Sequence, residues 1–247
     1  YELFRTYNKK NIICVSEGVK EDILSLGIIP KSIHVIYNPF DFDEILSKSL
    51  EKIAFDFPDK YIVHVGRFSK IKRHDILIKA FSLINDNTLK LVLVGDGEEK
   101  DNIIKLISEL CLQNRVVLAG FQRNPYPIIR NAKALILSSE SEGLPTVIIE
   151  ALVLHTVVVS TDCMSGPREI LGGCLFDSLV KVNDIDNLRK MIEYVVNNNA
   201  DINFKEMIDK FSKKSIMQSY MKILNNEGRK NEKSYFTRYK CMFFKCW

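Results

Sequence analysis

The 247-residue chain has too little of several things to belong to several classes of protein. Its six cysteines, Cys14, Cys111, Cys163, Cys174, Cys241 and Cys246, include no CxxC pair, and no histidine stands at metal-ligand spacing from them. That excludes the common zinc patterns and a disulfide framework, and leaves reduced cytosolic thiols as the expected state. No apolar run approaches the roughly 18 residues of a membrane span. Glycine and proline are too sparse to mark a linker, and no internal repeat or low-complexity tract is present. A net charge of +4 is too small, without clustering, to argue for nucleic acid. Tyr1-Glu2-Leu3-Phe4 lacks both a leading methionine and a signal-peptide pattern, so the chain is expected to be cut from something longer.

What remains is an ordinary globular composition, 46% hydrophobic and 27% charged, in a chain long enough to bury a real core. Apolar runs at Asn11–Val15, Ile33–Tyr37, Tyr61–Val65, Leu89–Val94, Val116–Leu118, Ala132–Leu137 and Val157–Ser160 read as strands. Helical patterns lie between most of them, at Glu17–Leu26, Asp43–Lys52, His74–Ile84, Glu98–Leu112, Pro127–Arg130 and Pro145–Leu154. Strand and helix taking turns predicts an α/β fold, a Rossmann-like, doubly wound parallel sheet. Beyond Phe176 the pattern turns helical, at about Ile185–Asn197, Phe204–Phe211 and Lys214–Asn225. The expected division is 1–52 as the end of a preceding domain and entry, 53–200 as the binding domain, 201–227 as closing helices and 228–247 as a tail. That tail mixes Arg229, Lys230, Lys233, Arg238, Lys240 and Lys245 with Tyr235, Phe236, Tyr239, Phe243, Phe244 and Trp247. Such a mixture suits an anionic membrane surface, a partly ordered tail, or a segment docked on a neighbouring domain.

Three segments fall at carboxyl ends of expected strands, where open α/β sheets bind ligands. After Tyr61–Val65 comes Gly66-Arg67, then Lys72, Arg73 and His74. Glycine permits close approach of the backbone, and a guanidinium beside an ammonium is what a diphosphate demands; a solvated basic loop is the plainer reading. Gly95-Asp96-Gly97 ends the next strand, but Lys100 stands where a dinucleotide motif needs its third glycine, so NAD is disfavoured and a structural turn expected. Gly120-Phe121-Gln122 could offer backbone to a base edge. The third segment, Ser139 to Ala151, places Glu142 on a loop and Glu150 inside the following helix, with Pro145 in its first turn. Amides at that helix start favour an anion, Glu150 can accept from the two hydroxyls of a ribose, and Glu142 from those of a hexose. As plain structure, the two would be a helix-start carboxylate and a solvated charge.

Val65-Gly66-Arg67, Lys72, Gly120-Phe121, Glu142-Gly143-Leu144-Pro145 and Glu150-Ala151, in this order, resemble the nucleotide-binding second domain of retaining GT-B glycosyltransferases of the group 1, or family-four, class. Ser165-Gly166-Pro167-Arg168-Glu169-Ile170-Leu171 and Asn124-Pro125-Tyr126-Pro127 resemble the branch that builds bacterial lipopolysaccharide cores, O-antigens and capsules. The resemblance spans about residues 10 to 225. It implies a nucleotide-sugar donor, expected to be a UDP-sugar, whose diphosphate meets Arg67 and Lys72 and whose sugar meets Glu142. Glu150 would hold the ribose, and the backbone at Gly66, Gly143, Leu144 and Thr146 would lie against sugar and phosphates. The backbone at Phe121 and Gln122 would meet the base. It further implies no metal or other cofactor, a saccharide or lipid-linked acceptor, and an N-terminal GT-B domain that supplies the acceptor side. The expected location is the cytoplasm or the inner face of the plasma membrane.

Two positions depart from the family pattern: His155 replaces a turn glycine, and Arg73 replaces a glycine after the lysine. His155 is expected to serve as a turn residue rather than a catalyst. Asp41-Phe42-Asp43 matches a metal-binding DxD in letters but reads as a helix cap. Rival functions are an epimerase or hydrolase on the same architecture, and a scaffold with a decayed sugar-nucleotide site.

Overall fold

The computed structural model describes residues 2–54, 56–172, 178–198, 208–226 and 239–242. Helix α1 (Glu2–Tyr7) leads into β1 (Asn11–Cys14), α2 (Glu17–Ser25), β2 (Ser32–Val35) and α3 (Phe42–Lys48). The main domain follows as β3 (Tyr61–Val65), α4 (His74–Ser82), β4 (Lys90–Val94), α5 (Lys100–Glu109), β5 (Val116–Gly120), α6 (Tyr126–Asn131) and β6 (Ala134–Leu137). It continues with α7 (Thr146–Val153), β7 (Val157–Thr161), α8 (Pro167–Leu171), β8 (Leu179–Val180) and α9 (Ile185–Asn197). Helix α10 (Lys213–Asn226) and strand β9 (Tyr239–Met242) come last.

Strands β3 to β8 form one six-stranded sheet in the order β5-β4-β3-β6-β7-β8, with every pair parallel. The expected α/β sheet is therefore present. Its inner strands β3, β4, β6 and β7 are buried on both faces, which explains why they read as continuous apolar runs. Side chains alternate between two cores: Val63, Val92, Val94, Leu135 and Leu137 pack on the face of α6 and α7, and Ile62, Leu91, Leu93, Ala134 and Ile136 on the face of α4, α5 and α9. The order reverses between β3 and β6, so the loops leaving those strands flank the topological switch point. His64 joins the two strands by a side chain, its Nδ1–H donating to the Ile136 carbonyl at 2.9 Å.

A second, three-stranded parallel sheet, β2-β1-β9, carries α2 beside it. Caps explain the starts of the polar-led helices: Ser16 accepts from Val19 N, Asp41 from Glu44 N and Asp184 from Asn187 N. Asp41 is thus the cap its position suggested. Several expected bounds change. Strand β5 runs two residues further, α3 ends at Lys48, α5 spans only Lys100–Glu109, and α1, α8 and β8 were not foreseen. Pro145 sits at the N-cap of α7 in extended conformation, one position before the helical turn expected for it. Of the expected helix Phe204–Phe211, residues 204–207 lie outside the described residues, and Asp209–Phe211 form a short 3-10 turn. The expected basic, aromatic tail falls largely outside the described residues, apart from β9. Among the described residues no helix is long and apolar enough to cross a membrane.

Candidate functional site

The loop leaving β3 is shaped by its neighbour. Gly66 N donates to Val94 O at 3.0 Å and Phe68 N to Asp96 O at 2.9 Å, nesting the loop after β4 on the loop after β3. A Cβ on Gly95 would fall 2.0 Å from Gly66 O, and one on Gly97 2.5 Å from Phe68 O. These glycines permit backbone to lie on backbone, so Gly95-Asp96-Gly97 is the structural turn anticipated. A 3-10 turn over Lys70–Lys72 then aims Lys72 inward.

Lys72 meets Glu142 across the switch point, Nζ to Oε1 at 2.7 Å, with side chains 14% and 1% exposed. The same oxygen accepts from Ser139 Oγ at 2.6 Å. Thr161 Oγ1 donates to the Ser139 carbonyl at 2.6 Å, Ser138 Oγ donates to Lys72 O at 2.9 Å, and Glu140 N donates to Ile71 O at 2.8 Å. The loops after β3 and β6 are thereby stitched together by main chain and by short hydroxyl side chains. A pair this buried survives because its charges are mutually compensated and further hydrogen-bonded.

Arg67, expected beside Lys72, instead reaches Glu98, with NH2 3.1 Å from Oε2 and both side chains about half exposed. Exposed pairs of this kind are worth about 0–1 kcal/mol, so Glu98 holds Arg67 only weakly. Arg73 is bound into ion pairs and hydrogen bonds of its own. It sits in the left-handed region at φ 48° and ties three segments together: bidentate bonds to Asp75 at 2.9 and 3.0 Å, a hydrogen bond to Asn183, and an ion pair with Glu140 at 3.8 Å. His155 also has positive φ, 58°, at the end of α7, and is exposed, as a turn residue should be.

Beyond Glu142, Gly143, Leu144 and Pro145 are buried and lead into α7, which no side chain caps. The amides opening α7 are thus left to face the carboxyl edge of the sheet, where helix polarity favours an anion. Glu150 lies half-buried one turn on, its carboxylate without a hydrogen bond or ion pair among the described residues. Burial alone pushes its carboxyl up to about 7. Tyr126 of α6 is near enough that Glu150 adds to burial in raising its phenol to about 12. At the end of β5, Gly120 takes φ 66°, Phe121 is 66% exposed, and Gln122 folds back, its Nε2 donating to Ala119 O at 2.7 Å.

The structure therefore unites Lys72, Gly66 and Glu142, sets Thr146 and Glu150 on the adjoining helix, and turns Arg67 aside. Two parts of the site were missed from sequence. Ser139 and Thr161 support Glu142, and Cys163 lies close enough that Glu142 adds to burial in raising its thiol to about 12. Small hydroxyls are common in loops and carry no periodic signal; only the position of Ser139, one turn-length before Glu142, hinted at contact.

The chain is similar to known proteins over most of its length. The family model described as "Glycosyl transferases group 1" matches residues 47–216. A Campylobacter jejuni protein named N-acetylgalactosamine-N,N'-diacetylbacillosaminyl-diphospho-undecaprenol 4-alpha-N-acetylgalactosaminyltransferase is 38% identical over 193 residues, covering 76% of this chain and 52% of that protein. The lipopolysaccharide 1,6-galactosyltransferase of Salmonella typhimurium is 31% identical over 71% of this chain and 49% of its own length. The crystal structure of a point mutant of S. aureus TarM, in complex with fondaparinux, alpha-GlcNAc-glycerol and UDP, superposes with TM-score 0.72 at 26% identity, covering 87% of this chain and 44% of that one. The chain spans about half the length of these relatives. With a matching family model over more than half its residues, and the switch-point loops in place, the chain belongs to the group 1 glycosyl transferases.

Proposed function

We propose that this chain is the donor-binding part of a retaining glycosyltransferase that moves a hexose-type sugar from a nucleotide donor, UDP-linked, to a saccharide or lipid-linked acceptor in bacterial surface polysaccharide synthesis. The observation that carries the reading is the Lys72–Glu142 pair at the switch point, directly before an uncapped helix start. The names of relatives that act on lipopolysaccharide and on an undecaprenol-linked saccharide support the acceptor class, and the TarM complex supports UDP.

Lys72, with Arg67 released from its exposed bond to Glu98, neutralises the diphosphate as it leaves. That charge grows toward the transition state, so stabilising it raises turnover rather than binding alone. The first amides of α7, with Gly143, Leu144 and Thr146, receive the phosphates. Glu142, held by Ser139 and Lys72, accepts from the sugar hydroxyls, and Glu150 accepts from the ribose. The backbone at Phe121 and Gln122 lies against the base, and Gly66 leaves room beside Lys72. Retention follows if the acceptor attacks from the face the diphosphate leaves, with a donor phosphate oxygen taking its proton. The acceptor side belongs to an N-terminal GT-B domain, and the reaction proceeds at the cytoplasmic face of the membrane without a metal.

The test is UDP release by the full-length protein supplied with UDP-hexoses and an acceptor extract, together with calorimetry of UDP. Release that requires acceptor and survives chelator supports transfer. Acceptor-independent turnover would point to the epimerase or hydrolase, and no detectable UDP binding to the scaffold.

A further inference from the structure

The segment from Thr161 to Glu169 touches both the Glu142 loop and the unit built from β1, α2 and β2. On the site side, Thr161 holds Ser139, which holds Glu142. Gly166, at φ 84°, packs so closely that a Cβ would stand 2.4 Å from Pro145 Cδ and 2.8 Å from Gly143 O. On the other side, the Glu169 carboxylate grips the start of α2. Oε1 accepts from Gly18 N at 2.8 Å and Oε2 from Glu17 N at 3.0 Å. Ser16 Oγ takes the next amide, Val19 N, at 3.1 Å. Two of the three amides opening α2 are thus satisfied by a side chain about 150 positions away, a favourable placement of negative charge at a helix start.

The contact has no slack. A Cβ on Gly18 would meet Ser165 Oγ at 2.4 Å and Ser165 Cβ at 2.6 Å. Between Ser165 and Glu169 the chain enters α8 through Pro167, whose fixed φ stiffens the link. Lys210 braces it from behind, donating from Nζ to the Glu169 carbonyl at 2.7 Å. The segment is held tightly at both ends, so displacement at one end must be felt at the other.

We propose that Glu169 is a positioning residue: by clamping the start of α2 it sets the place of the Ser165–Glu169 segment, and through Gly166 it fixes the Gly143–Pro145 loop that leads into α7. The unit holding α2 and the anion-binding loop then move as one, so the placement of one is felt in nucleotide affinity at the other. This consequence rests on the donor-site reading above.

Hydrogen exchange of the chain, with and without UDP, tests the coupling. In Glu169→Ala the amides of Gly18 to Lys20 and those of Gly143, Leu144 and Thr146 should exchange faster together, with β4 and β5 unchanged, and UDP should bind about tenfold more weakly. Glu169→Gln, which keeps one acceptor, should recover part of both effects. Gly18→Ala, which pushes on Ser165 with Glu169 intact, should reproduce the change at Gly143 to Thr146. Faster exchange confined to α2 would overturn the proposal, as would a uniform rise through β4 and β5. If the unaltered chain binds no UDP, the donor reading fails, while the exchange pattern still decides the coupling.

Discussion

Glu142 and Glu150 are the same chemical group on one loop-helix segment, with seven residues between them, and the molecule treats them oppositely. Glu142 is sealed from solvent and held by an ammonium and a hydroxyl at 2.7 and 2.6 Å. Glu150 is half-buried without a partner among the described residues, so its carboxyl is pushed up to about 7. Burial with partners preserves a charge at little cost; burial without them makes the charge expensive until something arrives to share it. One side of the candidate site is preorganised, and the other is left wanting a donor of hydrogen bonds.

The largest effect should come from breaking the satisfied side. Lys72→Ala leaves a carboxylate that is 1% exposed without its cation, and should cost about 3 kcal/mol in urea denaturation. In the full-length enzyme it should also lower turnover by about 10²–10³. Replacing both partners, Lys72→Met with Glu142→Gln, should restore most of the stability and none of the turnover. A loss under about 1 kcal/mol in the single variant would show that the pair is not the anchor described.

A smaller and opposite effect belongs to Glu150. Its folded-state value of about 7 lies above the ordinary carboxylate value of 4.5, so the folded chain binds the extra proton. The stability tied to that proton is fully present below about 4.5 and is lost as pH rises through about 7. Glu150→Gln should therefore flatten the fall in melting temperature across that window and raise it near pH 8, while weakening UDP. Melting curves from pH 5 to 8 that coincide for the two proteins would remove the distinction between the carboxylates.

The smallest change leaves both carboxylates alone. His155→Gly at φ 58° relieves a left-handed non-glycine residue at the end of the helix carrying Glu150, and should raise stability by at most about 1 kcal/mol without altering UDP affinity. An altered affinity would mean that the end of α7 governs the site as much as its start.

Much of this arrangement was readable from the residues. Strands buried on both faces announce themselves as apolar runs, and Gly66, Lys72 and Glu142 stand on the loops where such strands end, with Glu150 in the helix that follows. The Arg67–Glu98 pair was not foreseen, because surface pairing between neighbouring loops leaves no pattern in sequence. Strand β8 has two residues, too short for any periodicity. The clamp of Glu169 on Glu17 and Gly18 joins positions more than 150 apart, and a carboxylate that caps a distant helix looks, residue by residue, like any solvated glutamate. Arg73 showed its charge but not its direction, which depends on its left-handed backbone conformation.

The stitching of β3 to β6 also bears on when the site can exist as the chain folds. Lys72 and Glu142 are 70 positions apart, and His64 reaches Ile136 across 72, with β4, α5, β5 and α6 all lying within those loops. Contacts of such long range are made late, after the entropy of closing the loop has been met by the intervening structure. A chain that has completed only β3 to β5 carries the ammonium without its carboxylate and has no switch point at all. On the proposed reading, nucleotide affinity therefore arrives only once β6 has paired with β3, and a refolding trace followed by UDP binding should mark that pairing rather than the collapse of the chain.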